Sequence, residues 1–325
     1  MISVSHFSQR KRFPAAVGMP GRIPNGMWGS ASRAVACPEM STADEPERRA
    51  VEHDGFTIGA LDWGGDGPPL VLLHPNGFCA GVFEPLAREL TTEHRVIGID
   101  VRGHGTSDAP TRFEDCGFVA AAGDVVAMLD HLGLDEVVIL GESLGGGTGI
   151  LVDRLQPGRV RKLLLCEAIA MAAIDGLPGQ GGENHMSAMA RKRRAVWTDR
   201  ETVRESYGSR PPMNVMEPAA LAGYVQWGFR DRADGQVELA CPPEVEAWFF
   251  ECGTRPDGAP ASFDHLTSLR ADVTVVCADG TDLPDGMFAA QAERAGVPLV
   301  TVHGTHFFVQ EDTARAAALV REHLS

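Results

Sequence analysis

The sequence lacks any apolar run long enough to cross a lipid bilayer, and it contains no CxxC pair. A spanning helix needs about 20 apolar residues, so no membrane partner is predicted. The seven cysteines are odd in number and show no metal-ligand spacing. This pattern argues against a disulfide framework and against a structural zinc site. We therefore expect a reducing, cytoplasmic setting and no bound metal.

Positive charge is also scarce, because 29 lysines and arginines face 44 acidic residues, for a formal net charge of −15. An acidic balance argues against non-specific binding to nucleic acid. The apolar fraction of 44% is typical of a globular protein with a core. Charge and composition thus favour a protein that handles a small molecule over one that binds nucleic acid.

The amino-terminal stretch differs from the rest of the chain. Residues 1–39 hold five basic residues and one acidic residue, and they are rich in glycine, proline and serine. No apolar segment follows the basic cluster, as a secretory signal would require. We expect residues 1–45 to form a disordered tail, or translation to start at Met40. A targeting or interaction arm is the alternative.

From Val51 onward, short apolar strands alternate with longer helical stretches. This alternation predicts an α/β fold with a mostly parallel, doubly wound sheet covered by helices on both faces. The predicted strands are 56–63, 70–73, 95–99, 137–140, 162–166, 273–277 and 299–302. The predicted helices are 82–90, 118–132, 144–155, 287–295 and 313–324.

The alternation stops between residues 168 and 266, where helical pieces at 187–196 and 218–227 lie among many aromatic residues. We predict a helical cap over the carboxyl ends of the strands, inserted between core segments 46–167 and 267–325. The aromatic residues favour an apolar pocket beneath it. A basic run at 190–194 is interpreted as a solvated helix face, with contact to the phosphates of an acyl-CoA as the alternative.

The strongest chemical signal is the sequence Gly-Glu-Ser-Leu-Gly-Gly at residues 141–146, directly after an apolar strand and before a helix. The G-x-S-x-G pattern in this context predicts a sharp turn that exposes the hydroxyl of Ser143 as a nucleophile. Small residues are needed two positions away because the chain folds back on itself. The N–H of Leu144 would lie at a helix amino terminus and could stabilise an oxyanion.

Two further segments carry a family resemblance. Residues 72–78 read Leu-Leu-His-Pro-Asn-Gly-Phe, and residues 100–108 read Asp-Val-Arg-Gly-His-Gly-Thr-Ser-Asp. Here the chain resembles the α/β-hydrolase family, whose members carry a His-Gly-like turn and an Asp-x-Arg-Gly-x-Gly-x-Ser segment at these points. The resemblance implies the α/β-hydrolase fold and structural roles for Asp100 and Arg102. It also implies that the first loop supplies the second oxyanion N–H.

The proline in that loop limits which residue can supply the second oxyanion N–H. Pro75 has no N–H and cannot donate, so Asn76 is the candidate, with Gly77 and Phe78 as alternatives. His74 is expected to brace the loop through backbone hydrogen bonds.

The same resemblance implies the chain order nucleophile, acid, histidine, with the histidine after the last strand. Residues 303–308 read His-Gly-Thr-His-Phe-Phe, and the family's turn is close to Gly-x-x-His-Phe. We therefore predict His306 as the general base. His303 is expected to end the strand and face the sheet. His104 precedes the nucleophile and has the wrong position in this order.

Three carboxylates compete for the role of the triad acid. The usual family position follows strand 273–277, where Asp279 and Asp282 stand at irregular spacing. A second position in the fold follows strand 162–166, where Glu167 ends a buried apolar run and needs a partner there. In this respect the chain looks similar to actinobacterial hydrolases and to fungal acyl-CoA hydrolases. We favour Glu167, then Asp282, then Asp279.

The predicted function is therefore that of a serine hydrolase without cofactor or metal, which cleaves an ester, thioester or lactone bond of a small apolar substrate through an acyl-enzyme. A carbon–carbon bond hydrolase or a haloperoxidase-like enzyme would use the same triad. Epoxide and haloalkane hydrolases need an aspartate at the elbow, which Ser143 argues against. A non-catalytic ligand-binding protein of the same fold is the alternative from a different class.

Overall fold

A computed structural model describes residues 45–172 and 182–325. The predicted tail lies almost wholly outside the described residues. The strands among them are β1 Glu47–His53, β2 Phe56–Gly64, β3 Pro69–Leu73, β4 Arg95–Ile99, β5 Val137–Glu142, β6 Val160–Cys166, β7 Val196–Trp197, β8 Phe229–Asp231, β9 Val237–Leu239, β10 Asp272–Ala278 and β11 Leu299–Val302. The α-helices are α1 Glu84–Leu90, α2 Phe118–His131, α3 Leu144–Leu155, α4 His185–Ala190, α5 Arg200–Gly208, α6 Pro218–Trp227, α7 Pro243–Cys252, α8 Ala259–His265, α9 Met287–Ala295, α10 Phe308–Glu311 and α11 Thr313–His323.

The central sheet has eight strands in the order β1-β2-β4-β3-β5-β6-β10-β11. Strand β2 runs antiparallel to both of its neighbours, and the pairs from β4 to β11 are parallel. The carboxyl ends of β3, β5, β6, β10 and β11 therefore lie at one edge, where the loops that carry the predicted site residues begin. The prediction of a mostly parallel sheet is confirmed.

The sheet is doubly wound because its strands are apolar on both faces. In β3, Val71 and Leu73 pack in one core cluster with residues of α2, α3, α8 and α9. Leu70 and Leu72 pack in a second cluster with residues of α1, α6 and α11. Successive side chains of a strand point to opposite faces, so a continuous apolar run is required when both faces are covered.

The sequence reading missed strand β1. Glu47–His53 pairs with β2 in antiparallel register, from Glu47 opposite Asp62 to His53 opposite Phe56. Four of its seven residues are exposed, because it forms the outer edge of the sheet and carries polar and charged side chains there. An edge strand of this composition has no apolar run to detect, and charge on an edge opposes pairing with another chain.

The segment predicted to form a helical cap, residues 168–266, is not purely helical among its described residues. Besides α4 to α8 it contains a small antiparallel sheet in the order β7-β9-β8. The predicted helix 187–196 is wrong in extent: α4 is His185–Ala190, opened by a capping box between Asn184 and Ser187, and the chain then extends into β7. Helix α6 has the bounds predicted for it. Within the described ranges, no helix has the length and apolarity needed to cross a membrane.

Candidate active site

Ser143 occupies a strained turn between β5 and α3. Its backbone φ is +54° and its ψ is −118°, a combination that side-chain-bearing residues rarely adopt. The turn is closed by glycines: a Cβ on Gly141 would lie 2.6 Å from the carbonyl oxygen of Gly145. A Cβ on Gly145 would lie 2.0 Å from the carbonyl oxygen of Leu73. The spacing of the glycines thus follows from the close approach of the chain to itself and to β3.

His306 contacts one of the three candidate acids. Its Nδ1 lies 3.1 Å from Oε2 of Glu167, and the Glu167 side chain is fully buried while that of His306 is 16% exposed. The contact leaves Nε2 as the imidazole nitrogen that can exchange a proton with Ser143. Among the described residues Ser143 Oγ makes no hydrogen bond, a condition that is common for catalytic groups before a substrate binds.

Glu167 is held in place by β10 and the loop that follows it. Its Oε1 accepts a hydrogen bond from the N–H of Ala278 at 2.7 Å. Its Oε2 accepts one from Oγ1 of Thr281 at 2.5 Å, on the same oxygen that faces His306. These donors stabilise a carboxylate away from water and fix the oxygen that orients the imidazole. Sequence reasoning did not single out Thr281, which lies between the candidate acids Asp279 and Asp282.

The two other candidate acids do not reach His306 in the structure. Asp279 Oδ2 lies 3.1 Å from Nδ1 of His303, and its Oδ1 accepts a hydrogen bond from the N–H of Gly304. The hydrogen bond with His303 lowers the pKa of Asp279. Asp282 is exposed. The expectation that His303 faces the sheet is wrong: its side chain is 88% exposed, because β11 ends at Val302 and the chain turns outward.

The backbone donors predicted for the oxyanion differ in availability. In the loop after β3, the N–H of Gly77 donates to Nε2 of His104 at 3.0 Å, and the N–H of Phe78 donates to the carbonyl oxygen of Pro75. Within the described residues, the N–H groups of Asn76 and Leu144 have no hydrogen-bond acceptor. Leu144 is the first residue of α3, where the helix dipole favours a negative charge. Asn76 and Leu144 thus remain free to bind an oxyanion.

A pair of buried imidazoles supports the loop after β3, the predicted oxyanion loop, from the core side. His74 donates from Nδ1 to the carbonyl oxygen of Pro75 at 2.8 Å and accepts from the N–H of Val101 at 3.0 Å. His104 accepts from Gly77. Burial lowers the pKa of His104 to about 3, so its imidazole is neutral and can act as an acceptor. Both histidines brace the loop.

Residues of the segment predicted to form the cap, called the cap from here on, hydrogen-bond to the same loop. Tyr224 of α6 donates its hydroxyl to the carbonyl oxygen of Gly77 at 3.0 Å. Arg193 donates from Nη2 to the Tyr224 hydroxyl at 2.8 Å and pairs through Nη1 with Glu246 of α7. The side-chain amide of Asn76 donates to the backbone carbonyl of Glu246 at 3.0 Å. The position of the Asn76 N–H therefore depends on an arginine of the cap.

We expect Arg193→Met to lower kcat by about 10- to 100-fold, since a small misplacement of an oxyanion donor costs that much. KM should change less, because the oxyanion exists only in the transition state. Arg193→Lys should not restore kcat, because one ammonium cannot replace both ends of the guanidinium. The measurement is steady-state kinetics on one ester. The matched control is Arg194→Met, an exposed neighbour stacked on Trp197; an equal loss in both variants would contradict this role.

Two arginines of the basic run pair with carboxylates. Arg191 pairs with Glu244 and Glu251 of α7, and Arg193 pairs with Glu246 of α7. The interpretation as a solvated helix face is wrong for these two arginines, because α4 ends before them and their guanidinium groups pair with carboxylates of α7. The charges of Arg191 and Arg193 are compensated, while Lys192 and Arg194 are exposed, and contact of the run with acyl-CoA phosphates stays a prediction. No local pattern predicts this pairing, since the partners lie about 50 residues further along the chain.

The architecture and the turn at Ser143 define the class of protein: an eight-stranded, mostly parallel sheet with a strand–nucleophile–helix turn after β5 is the α/β-hydrolase fold. Residues 68–200 match a family model described as the alpha/beta hydrolase fold. The chain therefore has the α/β-hydrolase fold, as the resemblance in the sequence implied.

Known proteins with similar sequence act on different bonds. The chain is 36% identical over 155 residues to a non-heme chloroperoxidase of Streptomyces lividans, across 45% of this chain and 55% of that protein. It is 26% identical over 259 residues to a 2-(acetamidomethylene)succinate hydrolase of Mesorhizobium japonicum, across 76% of this chain and 84% of that protein. A solved thioesterase domain from the curacin biosynthetic pathway superimposes with a TM-score of 0.72 at 17% identity, over 85% of this chain and 99% of that one; it supports the fold alone.

Proposed function

We propose that the chain is a serine hydrolase that cleaves an ester, thioester or lactone bond of a small apolar substrate through an acyl-enzyme. The observation that carries the proposal is the contact between His306 Nδ1 and Glu167 Oε2 at 3.1 Å, in a molecule whose strained turn presents Ser143. A serine, an imidazole and an orienting carboxylate in this chain order are the groups needed for acyl transfer.

In the proposed first half-reaction, Nε2 of His306 takes the proton of the Ser143 hydroxyl as Oγ attacks the substrate carbonyl carbon. The carbonyl oxygen becomes an oxyanion and accepts hydrogen bonds from the N–H groups of Asn76 and Leu144. The bond between the carbonyl carbon and the leaving alcohol, thiol or ring oxygen then breaks, and the imidazolium donates its proton to the leaving atom. Glu167 stabilises the imidazolium while it carries that proton.

In the second half-reaction, water replaces the leaving group. His306 takes a proton from the water as its oxygen attacks the acyl carbon, and the second oxyanion binds the same two N–H groups. The bond between the acyl carbon and Ser143 Oγ breaks, Oγ regains the proton, and a carboxylic acid leaves. Every step uses groups of this chain and the substrate, so the mechanism requires no cofactor.

Aromatic side chains beside both catalytic loops support an apolar substrate. Phe78 follows the oxyanion loop and Phe307 follows His306, and their ring centroids lie 5.4 Å apart. The ring centroids of Tyr224, on α6, and Phe78 lie 4.9 Å apart. Rings in these positions favour an apolar acyl group next to the reacting carbonyl.

The test is a hydrolysis screen with p-nitrophenyl esters, acyl-CoA thioesters and lactones of graded chain length. We expect turnover of at least one class and, under single-turnover conditions, a protein mass increase equal to the acyl group, mapped to Ser143. A carbon–carbon bond substrate and a halogenation assay with hydrogen peroxide form the comparison arms. Folded protein that turns over none of the three classes and forms no acyl adduct would refute the proposal.

A further inference from the structure

A buried carboxyl group stands directly beside the nucleophile and has no part in the mechanism above. Glu142 ends β5, immediately before Ser143, and is fully buried. Its Oε2 accepts a hydrogen bond from Nε2 of Gln310 at 2.6 Å. Gln310 belongs to α10, four residues after His306, and is also buried. This contact joins the strand that carries the nucleophile to the segment that carries the base.

The side chains of Glu142 and Gln310 each have one oxygen atom that takes no part in this hydrogen bond. Within the described residues, Oε1 of Glu142 and Oε1 of Gln310 are both buried without a hydrogen-bond partner. Such atoms are rare in folded proteins and require an explanation. A carboxylic acid and a primary amide can form two hydrogen bonds at once, one from the amide N–H and one from the acid O–H. If Oε1 of Glu142 carried a proton, it could donate to Oε1 of Gln310, and both oxygen atoms would then have a hydrogen-bond partner.

The electrostatic surroundings agree with a neutral Glu142. Burial raises the pKa of Glu142 to about 8, and Glu167 and Glu311 add to that rise while the hydrogen bond from Gln310 opposes it. Cys166, which precedes Glu167 at the end of β6, also interacts with Glu142 and has its own pKa raised by burial. The titratable groups that act on Glu142 from β6 and α10 are thus acidic, and none favours its ionisation.

We propose that Glu142 is a positioning residue that keeps its proton in the folded enzyme and, through a paired hydrogen bond with Gln310, holds the His306 segment against the turn of Ser143. This inference rests on the proposed function. A neutral Glu142 also leaves Glu167 as the carboxylate that orients His306, without a second negative charge beside the nucleophile.

The informative pair of variants is Glu142→Gln and Glu142→Leu. A glutamine retains an acceptor oxygen and replaces the O–H donor by N–H, so Glu142→Gln should keep kcat close to the parent value at pH 7. Leucine removes both hydrogen bonds, and Glu142→Leu should lower kcat by about 10- to 100-fold, the range for a displaced catalytic group, with a smaller change in KM. Gln310→Leu removes the pair from the other side and should match Glu142→Leu; it replaces that variant if Glu142→Leu does not fold.

The pH profile separates positioning from a merely structural role. In the parent, ionisation of Glu142 would break the pair, so kcat/KM should fall above a pH near its pKa of about 8. Glu142→Gln has no proton to lose there and should keep its activity on the alkaline side. An alkaline fall that is the same in parent and Glu142→Gln would overturn the proposal, as would a loss at pH 7 in Glu142→Gln equal to that in Glu142→Leu.

A stability measurement tests whether Glu142 is protonated in the folded protein, and it needs no substrate. The pKa of Glu142 is raised on folding, from about 4.5 to about 8, so the folded state binds more protons between these values and the parent loses stability as pH rises through this window. The free energy of unfolding of the parent should therefore fall relative to that of Glu142→Gln between pH 5 and pH 8. If the difference in unfolding free energy between the parent and Glu142→Gln did not change over this pH range, the proposal that Glu142 is protonated would be overturned. If the parent hydrolyses nothing, the proposed function fails while this comparison still reports on Glu142.

Discussion

Ser143→Ala is expected to lower kcat by about 10⁶-fold, the loss found when a serine hydrolase loses its nucleophile. The hydroxyl is the group that becomes acylated, and no neighbouring side chain of the described turn can replace it. Alanine carries a Cβ like serine, so the backbone strain at φ +54° is the same and the fold should be retained. The measurement is kcat on the best ester, with circular dichroism and the unfolding midpoint as checks of folding.

The chain offers a matched control for this substitution. Ser268 Oγ lies 2.9 Å from Nδ1 of His265, and Nε2 of His265 lies 3.0 Å from Oδ2 of Asp153. This is a second serine–histidine–carboxylate arrangement, but Ser268 ends a short 3-10 helix and its hydroxyl also approaches the carbonyl oxygen of His265. It lacks the strand–turn–helix setting of Ser143. Ser268→Ala should therefore leave kcat unchanged, and a collapse there would contradict the assignment of Ser143.

Glu167→Gln is expected to lower kcat by about 10³- to 10⁴-fold, because an amide cannot stabilise the imidazolium and favours the wrong tautomer of the base. The effect should lie in kcat, since Glu167 is buried and does not contact the substrate in the proposed mechanism. Steady-state kinetics on the same ester check the size of the effect, and the unfolding midpoint shows whether the buried site tolerates the amide.

The controls for Glu167 are the two other candidate acids. Asp279 pairs with the exposed His303, and Asp282 is exposed, so Asp279→Asn and Asp282→Asn should keep kcat near the parent value. The assignment would be wrong if Glu167→Gln retained the parent rate while Asp282→Asn collapsed. Equal partial losses in all three variants would also contradict a single acid.

Local sequence was sufficient for the features that depend on neighbouring residues. The apolar runs of β3, β5 and β6 predict strands buried on both faces, and the glycines around Ser143 predict a turn that closes on itself. The polar edge strand β1 gave no such signal. The three-residue strands β8 and β9 pair with each other, and β9 also pairs with β7; no local pattern reveals this pairing.

The site beyond Ser143 depends on contacts between distant segments. Glu167 reaches His306 because β6 and β11 both pair with β10, which brings the ends of these strands to one edge of the sheet. Arg193 and Gln310 could not be found from their own neighbourhoods. Arg193 stands among other basic residues, and its role comes from partners on α6, α7 and the oxyanion loop.

The proposed enzyme has an oxyanion loop fixed from two sides. His74 and His104 hold it from the core, and Arg193 and Tyr224 hold it from the cap. A loop secured in this way presents the N–H of Asn76 without reorganisation during the reaction, which is the condition for strong stabilisation of an oxyanion. Changes in the cap should therefore alter kcat as well as substrate preference.

The most direct test of the account is labelling of the folded protein with a fluorophosphonate, followed by intact mass and peptide mapping. A fluorophosphonate reacts with a serine that is activated by a base and flanked by oxyanion donors. We predict one adduct per chain, on Ser143, that is absent in Ser143→Ala and slowed in Glu167→Gln. Folded protein that stays unlabelled, or that is labelled on Ser268 instead, would contradict the account.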